Sequence, residues 1–209
     1  MLGATSRSTT YLKGIDVSRY QEEVNWSHVK QSNVSFAFMK ATEGRFIKDP
    51  YFKRNWEHTR KLGIKRGAYH FYIPWVPVEE QILHFRNTVT LRAGDLPPVL
   101  DVERIHEDVS DAELRRDVKI WLTSIQRYYG VKPIIYTNQD YYQKRLKGHF
   151  KGYHFWIASY KKAKPQTHPQ DKCLFWQYSE TGTVKGIGSA VDLNYFYGGW
   201  SALNRLCVQ

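Results

Sequence analysis

Short runs of β-branched and aromatic residues alternate along this chain with longer segments of helical period. This alternation is typical of βα units, in which each strand of a largely parallel sheet is followed by a crossover segment. No Ser/Gly-rich linker and no internal repeat divides the pattern, so we expect one domain. The runs predict eight strands, at residues 14–17, 35–41, 65–71, 98–103, 133–137, 155–158, 173–177 and 190–193.

The predicted helices lie mostly in the first two thirds of the chain. They fall at residues 26–31, 51–62, 78–90 and 110–129, with a shorter helix after Thr137. The fourth is the best marked, because Ser110 can cap its start and Gly130 follows its end. Eight strands with about five helices indicate an α/β fold. We expect a β/α barrel with shortened late crossovers, since such barrels ordinarily need roughly 200 residues or more.

The two ends of the chain carry little other information. Residues 1–12 are expected to be a flexible arm or a tag remnant, and residues 13–209 the barrel domain. No leader is visible, because residues 1–10 lack the apolar centre of a signal peptide. The longest stretches without a charged residue, 67–78 and 193–204, each hold 12 residues. A membrane span needs roughly 20 apolar residues, so none is expected.

An apolar run from Pro97 to Val102 contains Asp101 and is followed directly by Glu103. Strand side chains alternate between faces, so Asp101 and Glu103 are predicted to point the same way, with Cα atoms roughly 6.5–7 Å apart. Crowding of two like charges raises the pKa of at least one carboxyl group. A protonated acid beside a carboxylate is what glycoside hydrolysis requires. The alternative is an ordinary solvated strand end.

Three other predicted strands also end in acids, namely Asp16, Glu43 and Asp192. In a parallel barrel the carboxyl ends of all strands meet at one rim, where catalytic groups collect. We therefore expect these acids to surround one pit together with Asp101 and Glu103. Such a cluster of oxygen ligands could also hold a divalent metal ion.

Aromatic and polar residues cluster at the same strand ends. Sugar rings stack their C–H faces on aromatic side chains while polar groups bind their hydroxyls, so this rim suits a polysaccharide groove. Core packing is the alternative for about half of these residues, and a buried, satisfied histidine is the alternative for His70. The predicted substrate-binding residues are Glu43, Tyr69, His70, Phe71, Tyr136, Trp156, Tyr160, Gln177 and Tyr178.

Nine motifs, taken in order, resemble those of glycoside hydrolase family 25, the Chalaropsis-type lysozymes or N-acetylmuramidases. The motifs are GIDVS at 14–18 with Gln21, FMKATEG at 38–44, Asp49 with Phe52 and Asn55, GAYHF at 67–71, PVLDVE at 98–103, IYT at 135–137, WIA at 156–158 with Tyr160, WQY at 176–178, and VD at 191–192 with Asn194.

The resemblance implies an irregular, flattened, TIM-like β/α barrel with eight strands. It also implies a peptidoglycan hydrolase that cleaves the β-1,4 bond from N-acetylmuramic acid to N-acetylglucosamine without a metal or other cofactor. Glu103 would be the general acid. Asp101 would be its partner, which either attacks the anomeric carbon or holds the substrate's acetamido group as the nucleophile. Asp16 and Asp192 would line the same catalytic site.

Two other glycan-related functions compete with this interpretation. A cell-wall polysaccharide-binding module could keep the groove and lose the chemistry, although the intact acids argue against it. A chitinase-like glycosidase also ends a strand in D-x-E, but its signature has further aspartates upstream. Here those positions hold Val99 and Pro97.

The chain is strongly basic, with 31 Lys and Arg against 20 Asp and Glu, which gives a net charge of +11. Residues 144–172 hold eight of the cations and one acid, Asp171. No nucleic-acid motif accompanies this run, so the expected partner is anionic peptidoglycan and not nucleic acid. The histidines show no zinc-ligand spacing, and Cys173 and Cys207 could form at most one disulfide.

Together these features predict that the protein works at the cell envelope or outside the cell if it is bacterial. If it is encoded by a phage, it would move from the host cytoplasm to the wall. We expect it to act as a monomer.

Overall fold

The computed structural model describes residues 11–161 and 163–209, which form nine strands and six α-helices. The strands are β1 (Tyr11–Val17), β2 (Phe36–Glu43), β3 (Ile47–Lys48), β4 (Lys65–Phe71), β5 (Val99–Asp101), β6 (Ile134–Asn138), β7 (His154–Ala158), β8 (Lys172–Gly182) and β9 (Val191–Tyr197). The helices are α1 (Trp26–Gln31), α2 (Phe52–Lys61), α3 (Val78–Thr88), α4 (Asp111–Tyr129), α5 (Gln139–Tyr141) and α6 (Trp200–Leu206).

Eight of the strands close into a barrel. They follow the order β1-β9-β8-β7-β6-β5-β4-β2, and β1 pairs with β2 to complete the ring, while β3 is an added strand beside β2. This confirms the predicted α/β barrel. All neighbouring barrel strands are parallel except at β9, which runs antiparallel to both β8 and β1.

The direction of β9 corrects one sequence expectation. Asp192 was expected at the carboxyl end of a parallel strand, but it stands at the start of an antiparallel one. The start of β9 lies at the same rim as the ends of the parallel strands, and Asp192 pairs with Asp16 in the register of β1 and β9. Both acids therefore lie at the rim, Asp16 near the end of β1 and Asp192 near the start of the antiparallel β9.

Local signals account for the best-defined elements. The Ser110 hydroxyl accepts a hydrogen bond from the Glu113 backbone N–H at the start of α4, and Gly130 ends the helix at φ 70°. The missed elements are β3, which is two residues long, and α6. The strand β1 begins at Tyr11, so residues 11 and 12 belong to the sheet, and the rest of the expected arm lies outside the described residues.

Large aromatic side chains fill the barrel interior. The Phe38 and Trp156 rings stack with centroids 4.6 Å apart, and Phe175 packs edge-on against Phe38. Leu203 of α6 joins this interior cluster. Because the interior is packed like the core of other β/α barrels, it is not a pore, and a ligand can enter only from the rim.

Glycine makes room for two of these rings. A Cβ atom at Gly14 would lie 2.3 Å from the Phe36 ring, and one at Gly67 would lie 2.4 Å from the Phe38 ring.

The two cysteines are buried free thiols, so Cys173 and Cys207 are not bonded to each other.

Candidate active site

A pit of about 180 Å³ opens at the rim where the parallel strands end. Four acids predicted from separate parts of the sequence meet in it, together with aromatic and polar side chains. Its lining consists of Asp16, Ser18, Tyr20, Lys40, Tyr69, Phe71, Asp101, Glu103, Tyr136, Trp156, Gln177 and Asp192.

Asp101 and Glu103 form the centre of the pit and differ in their surroundings. Asp101 ends β5, is 6% exposed, and its Oδ1 atom has no hydrogen-bond partner among the described residues. Burial, and then the neighbouring Glu103 charge, raise the pKa of Asp101 well above its usual range. Burial also raises the pKa of Glu103, against the opposing effect of the Lys40 ammonium. The pair therefore favours holding a proton at a pH where ordinary carboxyl groups have lost theirs.

Glu103 also stands where the pit meets two wider grooves. One groove, of about 720 Å³, includes Tyr136, Asn138 and Tyr160, and the other, of about 380 Å³, includes Asn138 and Arg145. Glu103 lines the pit and both grooves. A chain-like ligand that runs from a groove into the pit must therefore pass this carboxyl group.

Asp16 is held in place by amide groups. Its Oδ2 atom accepts hydrogen bonds from the Gln177 side chain at 2.9 Å and from the Asn194 side chain at 2.7 Å. The Tyr136 and Tyr160 hydroxyls each donate to Gln177 Oε1 at 2.9 Å. Burial, and then the charge of Asp192, raise the pKa of Asp16. The network fixes Asp16 and ties it to two aromatic residues of the rim.

The Trp156 indole joins the same network from the floor of the pit. Its N–H donates to Asn194 Oδ1 at 2.7 Å, so Asn194 links the floor to Asp16. Asn194 was part of a quoted motif but was not predicted as a site residue. The sequence could have indicated Asn194, because it lies two residues after Asp192 and therefore faces the same side of β9.

Lys40, like Ser18 and Tyr20, lines the pit but was not predicted as a site residue. Its Nζ atom lies 2.7 Å from Glu43 Oε2 and 4.6 Å from the centre of the Phe71 ring. Lys40 occupies the inward position of β2 two residues after Phe38. A lysine at an inward-facing position of an apolar strand could have marked it as a site residue in the sequence. Glu43, predicted to bind substrate, does not line the pit and instead pairs with Lys40.

Two other predicted groove residues face away from the pit. His70 is fully buried, with its ring nitrogens 2.7 Å from Thr42 Oγ1 and 3.0 Å from Gln81 Oε1, and burial lowers its pKa to about 3. Tyr178 stacks on Tyr195 outside the barrel. Both corrections follow from strand alternation, because their neighbours Tyr69 and Gln177 take the inward positions.

The predicted substrate-binding residues that do line the pit are Tyr69, Phe71, Tyr136, Trp156 and Gln177. Tyr160 lies in the adjoining groove.

Within residues 11–161 and 163–209, no group of three or more His, Cys, Asp or Glu side chains is arranged to hold a metal ion. None of the helices in that part of the chain is long and apolar enough to cross a membrane.

The buried acids have a cost for stability that can be measured. Because the pKa of Asp101 is raised in the folded state, the folded protein binds more protons than the unfolded chain above about pH 4, where a free aspartate ionises. The free energy of unfolding should therefore fall as pH rises through the interval up to the folded-state pKa. We expect Asp101→Asn to raise the melting temperature at pH 7 by a few degrees and to reduce this pH dependence. Thermal unfolding of both proteins from pH 4 to 8 would measure it, and a less stable variant at pH 7 would contradict the argument.

Comparison with known proteins places the chain among glycan hydrolases. The model of the family described as glycosyl hydrolases family 25 matches residues 15–187. "Uncharacterized protein YegX" of Escherichia coli K12 is 42% identical over 192 residues, which cover 90% of this chain and 70% of that protein. "Lysozyme M1" of Streptomyces globisporus is 34% identical over 213 residues, covering 95% and 72%. The crystal structure of a lysozyme from Streptomyces coelicolor superposes with a TM-score of 0.88 at 31% identity, covering 97% of this chain and 98% of that one.

Proposed function

The chain belongs to glycosyl hydrolase family 25, and from this premise we propose that it is a lysozyme that cleaves the β-1,4 bond between N-acetylmuramic acid and N-acetylglucosamine in peptidoglycan. The observation that carries the proposal is the position of Glu103. This carboxyl group, with a raised pKa, lies beside the buried Asp101 at the point where the pit meets both grooves.

Glu103 is the general acid in this mechanism. As the bond between the anomeric carbon of the muramic acid and the bridging oxygen breaks, Glu103 gives its proton to that oxygen, and the N-acetylglucosamine leaves as an alcohol. The resulting Glu103 carboxylate then takes a proton from the water that completes hydrolysis. A raised pKa suits this exchange, because the group must hold a proton near neutral pH and release it in every cycle.

Asp101 supports the other side of the reaction. Its Oδ1 atom, buried and without a partner among the described residues, is available to the substrate. In one route this oxygen attacks the anomeric carbon and forms a glycosyl-enzyme. In the other it accepts the N–H of the substrate's acetamido group, whose carbonyl oxygen attacks instead. Both routes retain the configuration of the anomeric carbon, and both require an ionised Asp101 while Glu103 keeps the proton. Because burial raises the pKa of Asp101 in the free enzyme, the substrate must favour the Asp101 carboxylate when it binds, through the acetamido N–H or the positive charge that develops at the anomeric carbon.

Asp16 and Asp192 position the site. Asp16 is fixed by Gln177 and Asn194, so its carboxyl group stays at one place beside the pit. Besides burial, the charge of Asp192 raises the pKa of Glu103 and so helps to keep the proton on Glu103. Tyr69, Phe71 and Tyr136 supply ring faces and hydroxyls around the acids, which is the lining that a sugar unit needs.

The products of digestion test the proposed bond. We expect mass spectrometry of the fragments released from purified peptidoglycan to find N-acetylmuramic acid at the reducing ends. Reducing-end N-acetylglucosamine would mean that the enzyme cuts the other glycosidic bond. Intact glycan after prolonged incubation with folded protein would favour a binding module without catalysis.

The basic segment 144–172 predicts how the enzyme meets its substrate. Lys144 and Arg145 are paired with Asp140 and Asp111, whereas Lys151 is exposed and has no ion pair with any described residue. We propose that the free cations of this segment hold the enzyme at the anionic wall, so that it works at the cell surface or outside the cell. Lysis of whole cells should fall steeply between 50 mM and 500 mM salt, because exposed charges are screened over that range. Salt-independent lysis would contradict the attachment.

A further inference from the structure

Five aromatic side chains form a continuous strip on the outer face of β8, β9 and β1. We call it the aromatic strip, and it consists of Trp176, Tyr178, Tyr195, Tyr197 and Tyr11. Strand alternation separates the strip from the pit, because Gln177 lies between Trp176 and Tyr178, Asn194 lies next to Tyr195, and both amides point to Asp16. The strip and the pit thus share the strands β1, β8 and β9 and lie on opposite faces of the barrel wall.

The rings of the strip are close together and reach solvent. Tyr178 and Tyr195 are stacked, with centroids 4.2 Å apart and an angle of 15° between their planes. Tyr11 lies 5.4 Å from Tyr195 and 5.5 Å from Tyr197. Tyr11 is 47% exposed and the other four are partly exposed. A contiguous exposed patch of this kind marks an interaction surface more often than single exposed rings do.

The topology explains why this face carries aromatic side chains without a helix over them. Each crossover from β1 to β6 includes a helix that covers the outside of the sheet. The connection from β8 to β9 is a hairpin, and the described part of the connection from β7 to β8 contains no helix. An antiparallel sheet that faces water normally places polar side chains there. The aromatic strip departs from that pattern.

Two lysines border the strip. Lys164 Nζ lies 3.8 Å from the centre of the Tyr197 ring, and Lys13 stands opposite Tyr195 in the register of β1 and β9. Both lysines are exposed. The Tyr197 hydroxyl is buried, so the surface combines flat ring faces and positive charge with the hydroxyls of Tyr11, Tyr178 and Tyr195.

We propose that the aromatic strip is a second binding site, and that it takes a peptidoglycan glycan chain. Sugar C–H faces would stack on the rings, while muramic acid and peptide carboxylates would pair with Lys13 and Lys164. Three of the five rings, Tyr11, Tyr178 and Tyr195, bring hydroxyls that suit a wet, hydroxyl-rich ligand better than a dry protein interface. The choice of glycan rests on the proposed function. A chain held here is not the chain being cut, so the strip keeps the enzyme on insoluble wall between cuts.

The first test is binding to purified, insoluble cell-wall sacculi in the Glu103→Gln background, where cleavage does not disturb the measurement. We expect Tyr11→Ser with Tyr195→Ser to weaken binding about tenfold, from the loss of two stacking rings. Tyr128→Ser is the matched control, because Tyr128 is 51% exposed on α4, outside the strip. Unchanged binding by the double variant, or an equal loss in the control, would overturn the proposal.

The second test uses the active enzyme with Tyr11→Ser and Tyr195→Ser. Turnover on short, soluble peptidoglycan fragments should stay within about twofold of wild type, which also shows that the variant is folded, while clearing of sacculi falls. Equal losses on both substrates would overturn the proposal. So would sedimentation showing a dimer that the substitutions dissociate, since the strip would then join two copies of the chain. Failure of the proposed function is a separate result, in which the wild type releases no sugars although its Glu103→Gln form binds sacculi through the strip.

Discussion

Replacing Glu103 by glutamine is expected to lower turnover on purified peptidoglycan by about 10²–10⁴-fold, the range that a general acid contributes. Glutamine keeps the size of the side chain and its capacity for hydrogen bonds, but it has no proton to give to the leaving oxygen. Release of reducing ends measures the loss. The fold should survive, because the change removes a partly buried carboxyl group whose ionisation is already disfavoured.

Glu107→Gln provides the matched control for this experiment. Glu107 follows the same strand but is exposed and does not line the pit, so its replacement should leave turnover unchanged. The circular dichroism spectrum and melting temperature of both variants would show that they are folded. Near-normal clearing of cell walls by folded Glu103→Gln protein would remove Glu103 from the role of general acid.

The common position of Asp101 and Glu103 at the pit could be predicted from the sequence because strand geometry is strict. Asp101 and Glu103 are two residues apart at the end of a strand. Because strand side chains repeat every two residues, both acids lie on the same face. The same period explains the errors. His70 and Tyr178 were selected for their chemistry, whereas their neighbours Tyr69 and Gln177 occupy the inward positions.

Other features depend on partners that are distant in the sequence. Whether the last strand runs parallel or antiparallel depends on how it pairs with β8 and β1, and no local pattern around Asp192 records this. The sequence predicts that Glu43 joins the acid cluster, because it follows the end of a strand. In the structure its charge is taken up by Lys40, which reaches the pit in its place. The barrel was therefore predictable from its period, while the exact lining of the pit required the pairing.

Replacing Asp101 by asparagine is expected to reduce turnover at least 100-fold while the protein becomes more stable. In both routes the reaction develops positive charge near the anomeric carbon or the acetamido nitrogen, and only a carboxylate compensates for it. Asparagine keeps an oxygen that can accept the acetamido N–H, so the substrate-assisted route should lose roughly 10²–10³-fold, as when one preorganised polar group is removed. A direct nucleophile would lose more, since the bond-forming oxygen itself is gone, and in such cases losses near 10⁶-fold are known.

The size of the loss and the state of the enzyme together separate the two routes. Intact-mass measurement of Glu103→Gln protein incubated with a glycoside that carries a good leaving group should detect a glycosyl-enzyme only if Asp101 attacks directly. A substrate that lacks the N-acetyl group should be cleaved only in that same case. Near-normal turnover by Asp101→Asn would exclude both roles. The opposite signs expected for activity and stability make the test robust, because a variant that merely unfolds would lose both. Asp101 Oδ1 is buried in the pit and has no hydrogen-bond partner among residues 11–161 and 163–209, so it would be a cost in the folded state that is offset only when substrate is bound.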